Sequence, residues 1–282
     1  MQPLSWNIER HEAGATAARV LFAFALLLGS IIAGAYFVGL TVAATEGAPR
    51  LSCERFGHPT PLVDGEFHPA HRNGTICFAL DSKSRNPAWA MTLVSPQSLA
   101  GDAVRGDRFY ADERVPKAWR VTPSEFEHTP FARGHLMACG YFGDQAQRDA
   151  SFAMTNMGPQ NGPLNSGYWA REVEGAIQRR VREEGLAAVP VVALIYPRAR
   201  EGKVVIRTVG KHDVWVPERW ACAVLYVRDG RPENMAAWIV PNEPVRAGVD
   251  YSCSVDEFEE QTGWDVYPAL DDELEERLEA AG

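Results

Sequence analysis

Three short runs carry side chains able to act on a hydrolysable bond. Arg133-Gly134-His135 sets a permanent cation two residues from an imidazole. Asn156-Met157-Gly158-Pro159-Gln160 and Asn165-Ser166-Gly167-Tyr168-Trp169 follow, dense in amides and turn formers. Histidine exchanges a proton near neutral pH, and an amide oxygen is a hard, neutral ligand suited to Mg²⁺. Each run also has a plainer reading. A histidine beside a glycine is often a buried ring satisfied by a neighbour, and Asn165 is well placed as a helix N-cap. By itself Arg-Gly-His favours the plainer reading; the ordered succession of all three runs shifts the balance.

The elements that must position these residues are legible in outline. Trp169, Val173, Ile177 and Val181 recur every four residues, which predicts a helix over residues 166–184 with one apolar stripe. Gly185 then serves as its C-terminal stop. Residues 76–80 and 88–94 are apolar runs separated by turn-forming residues 81–87 and predict a β-hairpin. Further strands are expected at residues 189–195, 203–209, 221–227 and 235–240. Residues 104–131 are charged and aperiodic, so they read as long loops. Strands with a few helices argue for an α+β fold, a mainly antiparallel sheet with flanking helices.

Composition adds three constraints. Residues 20–44 form 25 residues without a charge, longer than the roughly 20 needed to cross a bilayer. They predict a transmembrane anchor after a short 1–19 segment, or a signal peptide cleaved after Val42-Ala43-Ala44. The protein is then expected outside the cytoplasm, membrane-anchored, or secreted or periplasmic if the helix is removed. Five cysteines suit an oxidising compartment, with Cys53–Cys77 and Cys222–Cys253 as candidate pairs and no Cys/His spacing of a zinc site. The net charge of −9 is unexpected for a protein that handles a polyanion. Eleven acids against Arg277 lie between Asp256 and Glu279, a balance of −10 that leaves the remainder near +1.

Arg133-Gly134-His135, Asn-x-x-Pro-Gln at 156–160 and Asn-x-x-x-Trp at 165–169, in this order, resemble the ββα-metal DNA/RNA non-specific endonucleases of the endonuclease G type. Further landmarks agree: Phe56-Gly57-x-Pro59, Asn86-Pro87-x-Trp89, Arg108-Phe109-Tyr110-Ala111-Asp112, Val240-Pro241-Asn242 and Glu260-Gln261-Thr262-Gly263-Trp264. The resemblance covers residues 53–270 as one endonuclease domain, after a linker at 45–52 and before an acidic tail at 271–282.

It implies an enzyme that hydrolyses DNA and RNA to 5′-phosphate products with Mg²⁺ or another divalent cation such as Mn²⁺. His135 would activate water, Asn165 would ligate the ion, and Arg108 would face the phosphoryl group. Asn156 would orient the histidine side or a metal-bound water, with a turn-stabilising role as the plainer reading, while Arg133, Arg105 and Lys117, with Arg114, would contact nucleic acid. The resemblance admits a homodimer and names no protein inhibitor. Three departures stand out: Ala132 where many relatives carry aspartate, Val173 where they carry glutamate, and Ala193-Leu194-Ile195-Tyr196, where relatives tend to have a Thr-Gly before the corresponding segment. At about 100° per residue, Glu172 returns to within roughly 20° of Asn165 and is the expected replacement; Glu174 qualifies only if the helix carries a bulge. The alternative is a nucleic-acid-binding module on a catalytically impaired nuclease scaffold, with a small-substrate phosphodiesterase ranked last.

Overall fold

Residues 187–195 and 219–228 have almost no exposed side chain on either face, so they can only be central strands of a sheet covered on both sides. The computed structural model describes residues 52–62, 71–106, 108–198, 205–245 and 248–279. The expected membrane or signal helix at residues 20–44 lies outside the described residues. Among the described residues no helix is long and apolar enough to cross a membrane.

Numbered along the chain, the strands are β1 (Thr60–Pro61), β2 (His71–Asn73), β3 (Ile76–Leu80), β4 (Pro87–Met91), β5 (Phe131–His135), β6 (Met157–Asn161), β7 (Ala187–Ile195), β8 (Thr208–Val209), β9 (Val214–Trp215), β10 (Arg219–Arg228), β11 (Arg231–Pro241), β12 (Ser252–Cys253) and β13 (Trp264–Asp265). Seven form one sheet in the order β12-β11-β10-β7-β4-β3-β2, with antiparallel pairing throughout. The mixed fold with a mainly antiparallel sheet is therefore as expected, and the 76–94 hairpin is β3–β4. In the 203–209 segment only Thr208–Val209 is a strand, paired with β9, while residues 203–204 lie outside the described residues.

Two cores flank the sheet. On one face Trp169, Val173, Ile177 and Val181 are fully buried with Leu136, Val192 and Trp220, and the Trp169 and Trp220 rings meet edge to face at 5.4 Å. On the other, Cys77, Trp89 and Phe258 pack with Leu278, bringing in the helices Val255–Thr262 and Asp272–Glu279. The acidic tail is thus a docked helix, at least to Glu279. Leu278 is buried and Leu274 half-buried, while Asp272, Glu273 and Glu276 are exposed.

The Cys222–Cys253 pair does not form; both are thiols, as is Cys139. The reason lies in strand alternation: Cys222 belongs to the first core, whereas Cys253 packs against the second. The Cys53 side chain lies outside what the structure describes.

Candidate active site

β5 and β6 pair antiparallel, with Arg133 opposite Pro159, Gly134 opposite Gly158 and His135 opposite Met157. A helix begins at Gly162 directly after β6, so the three runs singled out in the sequence form two strands and a helix start. The close crossing of the strands requires Gly134. A methyl group there would sit 2.6 Å from Gln160 Cβ, and Gln160 is wholly buried with no room to retreat. Gly134→Ala is therefore expected to destabilise the protein by about 1–3 kcal/mol, read as a lower urea midpoint at unchanged slope.

His135 is 7% exposed. Its ring lies 5.0 Å from Phe152, edge to face, and 6.0 Å from Phe109. Nε2 has no hydrogen-bond partner among the described residues. Burial pushes the imidazole pKa down to about 3, and the nearby positive charge of Arg105 pushes the same way. The ring is accordingly neutral at physiological pH.

Asn156 is buried, and its amide is fully engaged with backbone. Nδ2 donates to Met137 O and Ser151 O, both at 2.9 Å, and Oδ1 accepts from Met137 N–H at 2.9 Å. It fastens the chain just beyond His135 to the 151–156 turn and does not itself reach the cavity beside His135. Asn156→Ala removes the partner of one backbone donor and two backbone acceptors, and each group left unsatisfied costs about 1–3 kcal/mol. The expected outcome is a Tm lowered by several degrees, with activity lost in step with folding.

That cavity, about 440 Å³, is lined by His135, Asn165, Glu174, Arg105, Arg133 and Arg148, together with Cys139 and Gln178. Glu172 is not among them; it lines a separate surface depression with Tyr168 and Asp250. The expectation for Glu172 assumed α-helical geometry throughout. Residues Asn165–Glu174 instead form a π-helical stretch, with a non-helical Gly167 near its start, and Gly175 N–H donates to the carbonyl five residues back. At roughly 4.4 residues per turn, nine steps return Glu174 to within about 20° of Asn165, whereas nine α-helical steps would place it on the far side. Burial raises the Glu174 pKa to about 8, opposed by the charge of Arg105 and the Trp169 indole.

The arginines divide into those at the cavity and those elsewhere. Arg133 lies 4.9 Å over the Phe109 ring and donates to Pro123 O at 3.1 Å. Arg148 is fixed by bonds to Phe142 O (2.8 Å) and Ala103 O (2.6 Å). The residue before Arg105 is clamped: Val104 N–H donates to Gln145 Oε1 at 2.8 Å, and Gln145 Nε2 donates to Val104 O at 3.1 Å. Arg108 and Lys117 are exposed and do not line the cavity. Arg114 is held by Asp112 through Nε (2.8 Å) and Nη2 (2.6 Å), which braces the 110–115 loop. Sequence reasoning missed Arg148, Gln145 and Phe152 and took Phe109 only as a landmark, since their segments show no periodicity. A comparable cavity of about 480 Å³ beside Tyr196 is lined by the Glu260–Trp264 landmark and by no residue of the three runs that hold His135, Asn156 and Asn165.

Residues 67–273 match the family model described as DNA/RNA non-specific endonuclease. The chain belongs to the DNA/RNA non-specific endonuclease family. Among curated relatives, human mitochondrial nuclease EXOG is 27% identical over 79% of this chain. Human mitochondrial endonuclease G is 28% identical over 60% of it, and a nuclease of Nostoc sp. is 28% identical over 68%. The matches span 62% of human EXOG, 58% of human endonuclease G and 70% of the Nostoc protein. Among solved structures, a chain of the EndoG/EndoGI complex aligns with a TM-score of 0.65 at 20% identity, over 72% of this chain and 86% of that one. That likeness shows a shared fold.

Proposed function

We propose that this chain is an endonuclease that hydrolyses phosphodiester bonds of DNA and RNA without sequence preference, leaving 5′-phosphates. The observation that carries the reading is one cavity holding a neutral imidazole with an unpartnered Nε2, an amide, a carboxyl and three guanidinium groups. His135 Nε2 takes a proton from water as the oxygen attacks phosphorus. An arriving phosphodiester anion counteracts the charge of Arg105 and makes the ring a better base.

The donors at the cavity wall fit a divalent ion such as Mg²⁺ or Mn²⁺. Asn165 and Glu174 supply hard oxygens, and a carboxyl whose pKa is raised by burial gains a compensating positive charge when a cation binds. Asn165 would hold the ion and Glu174 would balance its charge. When bound, the ion neutralises the phosphate and the departing 3′ oxygen. Arg105 takes the phosphate-facing role that the resemblance assigned to Arg108, because Arg105 lines the cavity and Arg108 does not. Arg133 grips the backbone beside it.

Backbone contacts set register without reading bases, so binding should fall steeply with salt. Arg105→Ala is expected to lower the slope of log affinity against log salt by about one. The test of the whole reading is degradation of plasmid and RNA with Mg²⁺ by the protein beside His135→Ala. Equal residual activity in both would refute it, and binding without cleavage would favour the impaired-scaffold reading. That reading drew on Val173, which is core; Glu174 occupies the cavity instead. We also propose that residues 20–44 place the domain outside the cytoplasm, which protease accessibility in intact cells tests.

A further inference from the structure

On the sheet face opposite the cavity, donor atoms of Glu54, His58 and Cys77 all lie within 4.8 Å of one another. Glu54 sits in the short 3₁₀ turn Cys53–Phe56, and Cys77 is on β3, fully buried in the second core. Glu54 Oε1 is 3.9 Å from His58 Nε2 and 3.8 Å from Cys77 Sγ. His58 keeps 37% of its side chain exposed, yet Nε2 is buried and has no hydrogen-bond partner among the described residues. Its ring is held 5.6 Å from Trp89.

We propose that Glu54, His58 and Cys77 bind a thiophilic divalent cation of the Zn²⁺ class. Bonds of about 2.0–2.3 Å in tetrahedral array place ligand atoms roughly 3.3–3.8 Å apart, so the cluster needs to close by about 1.5 Å or less. A thiolate with an imidazole selects Zn²⁺ over Mg²⁺, which prefers oxygen donors. Binding releases the thiol proton of Cys77 to solvent. Thiolate and carboxylate then cancel the ion's two charges, so Arg72, which pairs with Glu54, faces no excess positive charge. Such an ion would clip residues 54–58, where the described domain begins, to β3. No spacing in the sequence announces the site, because Cys77 arrives 19 residues after His58 through strand pairing.

The test is a Co²⁺ titration of the reduced, metal-free full-length chain. A near-ultraviolet thiolate-to-Co²⁺ charge-transfer band is expected at one equivalent, displaced by Zn²⁺ and untouched by excess Mg²⁺. Cys77→Ser should abolish the band. His58→Gln, at a half-exposed position and therefore a milder change to folding, should weaken Co²⁺ binding at least about tenfold. Zn²⁺ at a hundredfold over Kd should raise the wild-type Tm by roughly 5 °C or more, a shift that His58→Gln should largely remove. No band in the reduced chain, a band that survives Cys77→Ser, or an unchanged affinity in His58→Gln overturns the assignment.

Discussion

The His135→Ala protein is expected to cleave plasmid DNA about 10²- to 10⁴-fold more slowly than the parent, with DNA affinity in the absence of turnover changed by less than about threefold. The split follows from placement: Nε2 is the unpartnered basic atom in the cavity, while the phosphate-facing charge comes from Arg105, Arg133 and Arg148. The same substitution has a signature in stability. The folded imidazole stays neutral down to a pH of about 3, whereas an unfolded one protonates near its ordinary 6.5. The parent therefore keeps this contribution above pH 6.5 and loses it as pH falls toward 3. Urea midpoints of the variant should fall less over that interval. Loss of binding and cleavage in equal measure would assign His135 to substrate affinity rather than proton transfer.

Glu174→Gln is expected to lower Mg²⁺-dependent cleavage by about 10- to 100-fold, and Glu172→Gln to leave it unchanged. The two acids are two residues apart, and only the π-helical stretch decides which of them meets Asn165. The folded Glu174 carboxyl has its pKa raised from 4.5 to about 8. A cation must displace its proton below pH 8, so Mg²⁺ affinity should weaken up to about tenfold per pH unit as pH drops from 8. Without metal, the stability tied to this proton is fully present below pH 4.5 and is lost as pH rises through about 8. Glu174→Gln should flatten both curves in calorimetry and thermal melts. Equal losses in Glu172→Gln would show that the helix is phased differently in solution.

The strands at 187–195, 219–228 and 231–241 and the helix ending at Gly185 were legible because burial on one or both faces leaves a periodic record. His135 lies on β5, which left no such record; it is singled out with Asn165 through the ordered succession of three short motifs. The loops gave no such record: Arg105 and Arg148 reach the cavity through Val104–Gln145 and Phe142 backbone bonds that no local pattern encodes. The phase of Glu174 was recorded, though obliquely. A strict four-residue spacing of Trp169, Val173, Ile177 and Val181 lies between the 3.6 residues of an α turn and roughly 4.4 of a π turn. In a pure α-helix such a stripe drifts by about 40° per step; a π stretch at its start offsets part of that drift. Asn156 reads in the sequence as orienting the histidine side or a metal-bound water, or as stabilising its turn, and its bonds to Met137 and Ser151 fasten the backbone just beyond His135.

The two helices behind the sheet, Val255–Thr262 and Asp272–Glu279, carry most of the acids in the 256–279 segment and anchor them through Val255, Phe258 and Leu278 on the face away from His135. Acids are thereby gathered behind the sheet, while Arg105, Arg133 and Arg148 line the cavity in front of it. A polyanion approaching the domain exerts a torque that turns the cavity forward during encounter. Bulk measures such as an isoelectric point of 5.3 miss this arrangement, and an anion-exchange resin and a nucleic acid would meet opposite sides of the same molecule.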